Sequence, residues 1–320
     1  MSTRTKTVKK EIIPVFFAVD DRYVPYLCVA INSLKQNGSS KNIYKLHVLI
    51  DTISDSSREA LLSMSDENIE IDFVDVTEPL KAICSRLHMR DYYTKATYYR
   101  FFIPRLFPQY DKGVYLDCDI AITDDIAKLY RTQLGENLVA AIPDEIITDI
   151  EVFGRYSEKV LDVPRDEYFN AGILVMNLKK MREDNIENQF AELLSLRTYR
   201  VAQDQDYLNV LCYGKSVLLN KKWNKTPLPT SNPSKIPKIA HYKINFKPWK
   251  YDDVIYGDLF WKYAEGTVYY DSLLKAKNSY TDSEKAIDRS QYESLVALAM
   301  DEISDDSYEL STNALLIGTV

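Results

Sequence analysis

The chain has 320 residues, 46% hydrophobic and 27% charged, a composition ordinary for a soluble globular protein and a length that can bury a substantial core. Its net charge of −7 speaks against a general nucleic-acid binder, which carries a basic footprint, and no apolar run is long enough to span a bilayer. The basic start, MSTRTKTVKKE, has no small-residue cleavage site and is not expected to be a signal peptide; Cys28, Cys84, Cys118 and Cys212 are scattered without metal or redox spacing, so reduced thiols are expected.

Residues 12–20 (IIPVFFAVD) form a continuous apolar run ending in polar residues, the pattern of a buried parallel strand. Leu27, Ala30, Ile31 and Leu34 at helical spacing predict a helix over 26–37, stopped by Gly38. Residues 44–51 read as a strand, and Ser56 with Glu59 as the capping box of a helix reaching Ser65. Ile69, Ile71 and Phe73 alternate with Glu70 and Asp72 as a third strand. This βαβαβ opening predicts an α/β fold with an open, mostly parallel sheet flanked by helices, which binds ligands at the carboxyl ends of its strands. Further on, 94–106 reads as a helix bent or ended by Pro104, 113–122 as one strand, and 138–144 and 172–177 as two more. Helices are expected over 179–196 and 204–212, proline-marked turns over 227–237, and a short strand leading to His241. From Asp271 the chain turns acidic, with Val296, Ala299, Met300 and Ile303 on one helical face. The expected division is a main domain over 1–270 and a mostly helical extension over 271–320.

The run GVYLDCDIAI carries the chemistry. Side chains alternate along an extended backbone, so Asp117 and Asp119 aim at one point while Cys118 faces away. Two convergent carboxylates at a strand end suit a hard divalent cation and the phosphates it carries. Asp204 and Asp206 repeat the spacing, but on a helix such residues diverge by about 200°. His241 lies close before Lys247-Pro248-Trp249; with two carboxylates and phosphate oxygens its imidazole completes a six-coordinate site that suits Mn²⁺. Asn170, Ala171 and Gly172 read as a turn before a strand, where small residues let a sugar approach the backbone, and Gln203 to Asp206 as a helix N-terminus that presents polar groups to a ligand.

Seven motifs in order, VDDRY from Val19, TYYR from Thr97, YLDCD from Tyr115, IPDE from Ile142, YFNAG from Tyr168, AQDQD from Ala202 and HY…KPW from His241, resemble the retaining glycosyltransferases of family eight. That family includes bacterial lipopolysaccharide α-galactosyl- and α-glucosyltransferases and glycogenin, and the resemblance spans residues 12–249. It implies a GT-A fold, UDP-glucose or UDP-galactose as donor, and a divalent metal, typically Mn²⁺ with Mg²⁺ as the alternative. By resemblance, Ala18, Asp20 and Tyr23 would hold the uridine and Arg100 the donor near its sugar and phosphates. Asp117, Asp119 and His241 would bind the metal, Asp144, Asn170 and Asp204 sugar hydroxyls, and Lys247 the diphosphate, with Gln205 beside the anomeric carbon. Departures are Arg22 where Asn is common, an acidic rather than basic C-terminus, and Lys243-Ile244-Asn245 in a stretch that often holds Gly.

The implied activity is metal-dependent transfer of a hexose to an acceptor hydroxyl with retention, in cell-surface glycan synthesis, by a bacterial cytoplasmic enzyme or one resting on the inner membrane face. The acceptor would be a saccharide, glycolipid or glycoprotein, with no nucleic-acid partner. Alternatives are a sugar nucleotidyltransferase, which normally carries a Gly-rich basic loop absent from VFFAVDDRYVP, and a non-catalytic nucleotide-sugar-binding protein.

Overall fold

The computed structural model describes residues 10–81, 83, 87, 95–229 and 231–305. Their strands, in chain order, are β1 Glu11–Ala18, β2 Asn42–Ile50, β3 Ile69–Asp75, β4 Gly113–Leu116, β5 Ile120–Ile122, β6 Val139–Pro143, β7 Phe169–Met176, β8 Ser216–Leu218 and β9 Ile239–His241. Seven of them form a sheet in the order β3-β2-β1-β4-β7-β6-β8, while β5 and β9 make a separate ribbon. β3, β2, β1 and β4 run parallel, β7 is antiparallel to β4 and β6, and β8 is parallel to β6. The result is the expected mixed, mostly parallel α/β sheet flanked by helices, followed by a helical extension.

Layering follows from alternation. Phe16, Tyr115 and Leu174 point into one core with Phe101 and Phe190, whose rings stack at 3.7 Å. Val15, Phe17, Val114 and Leu116 point into the opposite core with Leu27, Ile31 and Leu46. β7 is buried along its whole length because it has a strand on each edge and a core on each face. Each such fully buried large side chain contributes roughly 1.5–3 kcal/mol.

Several elements differ from the sequence reading. The run 113–122 is not one strand: Asp117 N–H makes a last sheet bond to the Gly172 carbonyl at 2.7 Å, then the chain leaves β7 and re-pairs with β9 as β5. A continuous apolar run carries no mark of such a change of partner. β7 begins at Phe169, so Asn170, Ala171 and Gly172 are strand residues rather than a turn. The stretch 179–196 is two helices, Leu178–Glu183 and Ile186–Leu196, broken at Asn185, whose φ of 52° is a left-handed conformation that asparagine tolerates. Ser54, not Ser56, caps helix Asp55–Leu62, accepting from Ser57 N–H. Lys95–Phe102 is a 3₁₀ helix that runs into helix Ile103–Leu106, and Pro104 sits in the first turn of the latter, where its missing N–H has no partner to lose; Thr94 lies outside the described residues.

The extension contains helices Tyr270–Asn278 and Asp282–Ser304, the latter opened by a Thr281–Glu284 capping box. Leu295, Ala299 and Ile303 join the core beside the sheet, and Val296 packs against it. Met300 is 56% exposed, contrary to its expected place on the buried face; Asp288 and Glu302 turn inward instead.

Candidate active site

The broken strand explains how distant groups meet. β5 pairs with β9 in a register that sets Ile120 opposite His241, and Tyr242 N–H donates to the Asp119 carbonyl at 2.9 Å. Asp117 follows β4, Asp119 precedes β5 and His241 ends β9. Their ligand atoms all lie within 4.8 Å of one another, with His241 Nε2 3.1 Å from Asp119 Oδ1 and 3.6 Å from Asp117 Oδ2. Cys118 turns away and donates its thiol to the Ala18 carbonyl at 3.2 Å.

The tautomer of His241 follows from a chain of hydrogen bonds that starts at an unambiguous donor. Gly172 N–H donates to Asn170 Oδ1 at 3.0 Å, so that atom is an acceptor and also takes Asn224 Nδ2–H at 2.7 Å. Asn224 Oδ1 therefore faces His241 Nδ1 at 2.9 Å and accepts its proton, leaving the Nε2 lone pair directed at the two carboxylates. Three acceptors converging on one point fit a cation and fit little else. Asn224→Leu is expected to cost 10- to 100-fold (about the usual effect of such a partner) in Mn²⁺ affinity, read by metal titration.

Cations hold the outer carboxylate oxygens. Lys247 Nζ donates to Asp119 Oδ2 at 2.6 Å, and Arg100 Nη2 donates to Asp117 Oδ1 at 3.2 Å. Burial pushes Asp119 up, but positive charge beside it, Lys247 foremost, outweighs burial and holds the carboxyl well below the usual range. Arg100 is buried, lies 4.3 Å over the Tyr115 ring, donates to the Thr97 and Ala171 carbonyls and pairs with Asp204 at 3.1 Å. Gly172 stands against this cluster, where a Cβ would overlap the Asp117 carboxylate and the His241 ring.

These groups open into a solvent-connected cavity. Asp144, Asn170 and Gln205 line it and are mutually bonded. Gln205 Oε1 accepts from Ala171 N–H at 3.0 Å and from Asn170 Nδ2 at 2.8 Å, which orients its amide. Asp144 Oδ2 accepts from Asn170 Nδ2 at 2.9 Å, and Lys243 Nζ lies 3.3 Å from both Asp144 oxygens. Burial pushes Asp144 up, and Lys243 more than offsets it, so the carboxyl sits low.

A sequence profile described as Glycosyl transferase family 8 matches residues 14–253. The chain belongs to that family. A Haemophilus influenzae protein described as a glycosyltransferase is 29% identical over 221 residues, 67% of this chain and 63% of its own length. The apo structure of the bifunctional glycosyltransferase WbbM superposes with a TM-score of 0.74 at 27% identity, covering 84% of this chain and 52% of that one. The galactosyltransferase LgtC, solved with donor and acceptor sugar analogues, gives a TM-score of 0.66 at 27% identity over 80% of this chain and 96% of LgtC. This chain thus spans about half of WbbM and under two thirds of the Haemophilus influenzae protein.

In this family 8 chain the fold brings Arg100, Asp117, Asp119, Asp144, Asn170, Asp204, Gln205, His241 and Lys247 to one cavity wall. Ala18, Asp20 and Tyr23 lie beside it at the end of β1 rather than on that wall. Burial, and after it the negative charge of Asp119, raises the Tyr23 phenol, which marks the two as neighbours. Asp20 is tied to Arg22, the departure from the family pattern, by an ion pair of 3.0 Å. The helical divergence of Asp204 and Asp206 holds: Asp206 points into the core and accepts from Tyr156 and Tyr168 hydroxyls at 2.9 and 2.6 Å. Lys243, Asn224 and the spatial role of Gly172 are new relative to the sequence reading. Ile244 adopts φ 50°, a left-handed conformation uncommon for a β-branched residue.

Burial pushes Asp206 up to about 6 against those hydrogen bonds. A raised carboxyl binds its proton more tightly in the folded state, so its contribution to stability is complete below about pH 4 and lost as pH rises through about 6. The stability difference between wild type and Asp206→Asn, measured by urea unfolding, is expected to move against wild type across that window.

Among the described residues no helix is long and apolar enough to cross a membrane.

Proposed function

We propose that this chain is a retaining, metal-dependent hexosyltransferase that moves glucose or galactose from a UDP-sugar to an acceptor hydroxyl, forming an α-glycosidic bond in the synthesis of a cell-surface glycan. The observation that carries the reading is the meeting of Asp117, Asp119 and His241 beside Lys247, at a cavity that also holds Gln205, Asp144 and Asn170. Asp117, Asp119 and His241 would hold Mn²⁺ or Mg²⁺, which, when bound, offsets charge building on the departing diphosphate. The acceptor would be a saccharide, glycolipid or glycoprotein, and the place of action the cytoplasm or the inner membrane face.

Each residue has a role that its surroundings support. Lys247, held against Asp119, stands ready to donate to diphosphate oxygens as their charge develops. Asp144 and Asn170 orient the sugar hydroxyls; Ala18, Asp20 and Tyr23 at the end of β1 take the uridine, and Arg100 fixes Asp117 and Asp204. Burial pushes Asp204 up to about 7 against the pull of Arg100, which disfavours the charged carboxylate that a nucleophile needs, and its Oδ2 is engaged by Arg100. Gln205 is a neutral amide with its carbonyl oriented by Ala171 and Asn170. The reading is therefore attack from the face that UDP leaves, a donor phosphate oxygen taking the acceptor proton while the Gln205 carbonyl supports the oxocarbenium-like carbon.

The test is a screen of UDP-sugars with MnCl₂, following UDP release. Turnover of one hexose donor is the expected result. Release of pyrophosphate from UTP and a sugar 1-phosphate would favour the nucleotidyltransferase alternative, and a stable glycosyl adduct on Asp204 would replace same-face attack by a covalent route.

A further inference from the structure

Helix Asp282–Ser304 lies beyond the 14–253 segment that the family profile matches, yet it reaches the cavity. Asp288 and Leu295, two turns apart, lie on one face of it. Leu295 lines the cavity, and Asp288 is buried, with 5% of its side chain exposed.

The Asp288 carboxylate gathers donors from the segment that follows β9 and from Tyr280, just ahead of its own helix. Lys250 Nζ bonds to both its oxygens at 2.9 and 3.1 Å, the Tyr251 hydroxyl donates at 2.9 Å, and the Tyr280 hydroxyl at 2.8 Å. The Asp288 backbone carbonyl accepts from Asn245 Nδ2 at 2.9 Å. Three residues of the loop, Asn245, Lys250 and Tyr251, are thus fastened to one turn of one helix. Lys250 and Tyr251 in turn donate their backbone N–H groups to the Lys247 carbonyl at 2.9 and 3.0 Å. A connected path runs from Asp288 through those amides to Lys247 and on to Asp119.

The loop between these fastenings and β9 does not rest in a relaxed conformation. Ile244 is held at φ 50°, which a β-branched residue keeps only when its surroundings impose it. The Asn245 bond to the helix lies one residue away and supplies such a restraint. A buried carboxylate that holds an ammonium and two tyrosine hydroxyls at once restricts the position of each, because charge-assisted hydrogen bonds are the stronger ones.

We propose that Asp288 is a positioning residue of the nucleotide-sugar site: it sets the pose of the loop that presents Lys247, making the C-terminal helix a working part of the pocket. The proposal rests on the function read above for Lys247.

The test uses the full chain and UDP with MnCl₂ as probe, combining calorimetric titration with amide hydrogen exchange. Asp288→Asn and Tyr251→Phe loosen the loop side of the anchor; Tyr280→Phe removes a donor from the helix side, and Ile287→Ser, on an exposed neighbour, is the control. In Asp288→Asn, exchange at the Lys250 and Tyr251 amides is expected to speed up about tenfold and the UDP dissociation constant to rise about tenfold. Tyr251→Phe should shift both in the same direction and serves if Asp288→Asn does not fold, while Tyr280→Phe and Ile287→Ser leave both near wild type. Unchanged loop exchange in the loop-side variants overturns the proposal, as does a loosened loop with unaltered UDP affinity, or a loss of affinity in Tyr280→Phe equal to that in Asp288→Asn. A wild-type chain that binds no UDP would bring down the nucleotide-sugar reading, and the exchange arm would still decide whether Asp288 holds the loop.

Discussion

Asp119→Asn is expected to lower UDP-sugar turnover about a thousandfold in a chain that still folds, its melting temperature falling less than that of Asp119→Ala. The size follows from the charge that the site must stabilise: removing several kcal/mol of it, roughly 4, corresponds to about three powers of ten in rate. Asparagine is the informative replacement because its carbonyl can still accept from Lys247, which is bonded to Asp119 Oδ2 at 2.6 Å. Alanine would break a buried ion pair outright, a change that costs about 3–5 kcal/mol and confounds activity with folding. Turnover assays across MnCl₂ concentration, with thermal unfolding in parallel, check the expectation. An Asp119→Asn enzyme within tenfold of wild type would remove this carboxylate from the account.

Gly172→Ala adds one methyl group and is expected to reduce activity about 10- to 100-fold. Gly172 does not have a positive φ, so its reason is space rather than backbone freedom. The added Cβ would fall on the Asp117 carboxylate and the His241 ring. Neither can step aside freely: Asp117 Oδ1 is held by the Tyr115 hydroxyl at 3.0 Å and by Arg100, and His241 by Asn224. Overpacking of a tight site typically costs about 1–3 kcal/mol, here taken from the geometry of the ligand set. Metal titration of the variant should show weakened binding alongside lost turnover. Wild-type Mn²⁺ affinity in Gly172→Ala would show that the cluster has slack that the hydrogen bonds do not suggest.

The parts of the fold that were legible in the sequence are those governed by local pattern. The apolar run of β1 and the alternation of Ile69, Ile71 and Phe73 report burial directly, because a strand's faces are set by neighbours two residues apart. The Asp117–Asp119 spacing also pointed to the two carboxylates that the fold sets beside His241. Its geometric reason, however, differs: the two carboxylates converge because the chain changes partner from β7 to β9 between them, a non-local event without local trace. Asn224 escaped for the same cause. It follows Trp223 in a polar stretch, and only the non-local bridge between Lys225 and Ala240 of β9 sets it against His241. Asp288 lay in a segment read as an acidic extension; on a surface-like helix one inward carboxylate has no periodic signature, and its partners come from a loop some forty residues earlier.

The central claim is that one divalent cation sits among Asp117, Asp119 and His241 while gripping a nucleotide diphosphate. A crystal of the full chain grown with UDP and MnCl₂, recorded with anomalous scattering at the manganese edge, tests it most directly. The account predicts a single strong anomalous peak coordinated by Asp117, Asp119, His241 Nε2 and diphosphate oxygens. Manganese bound elsewhere, or UDP seated away from Tyr23 and Lys247 with those three side chains unliganded, would contradict it.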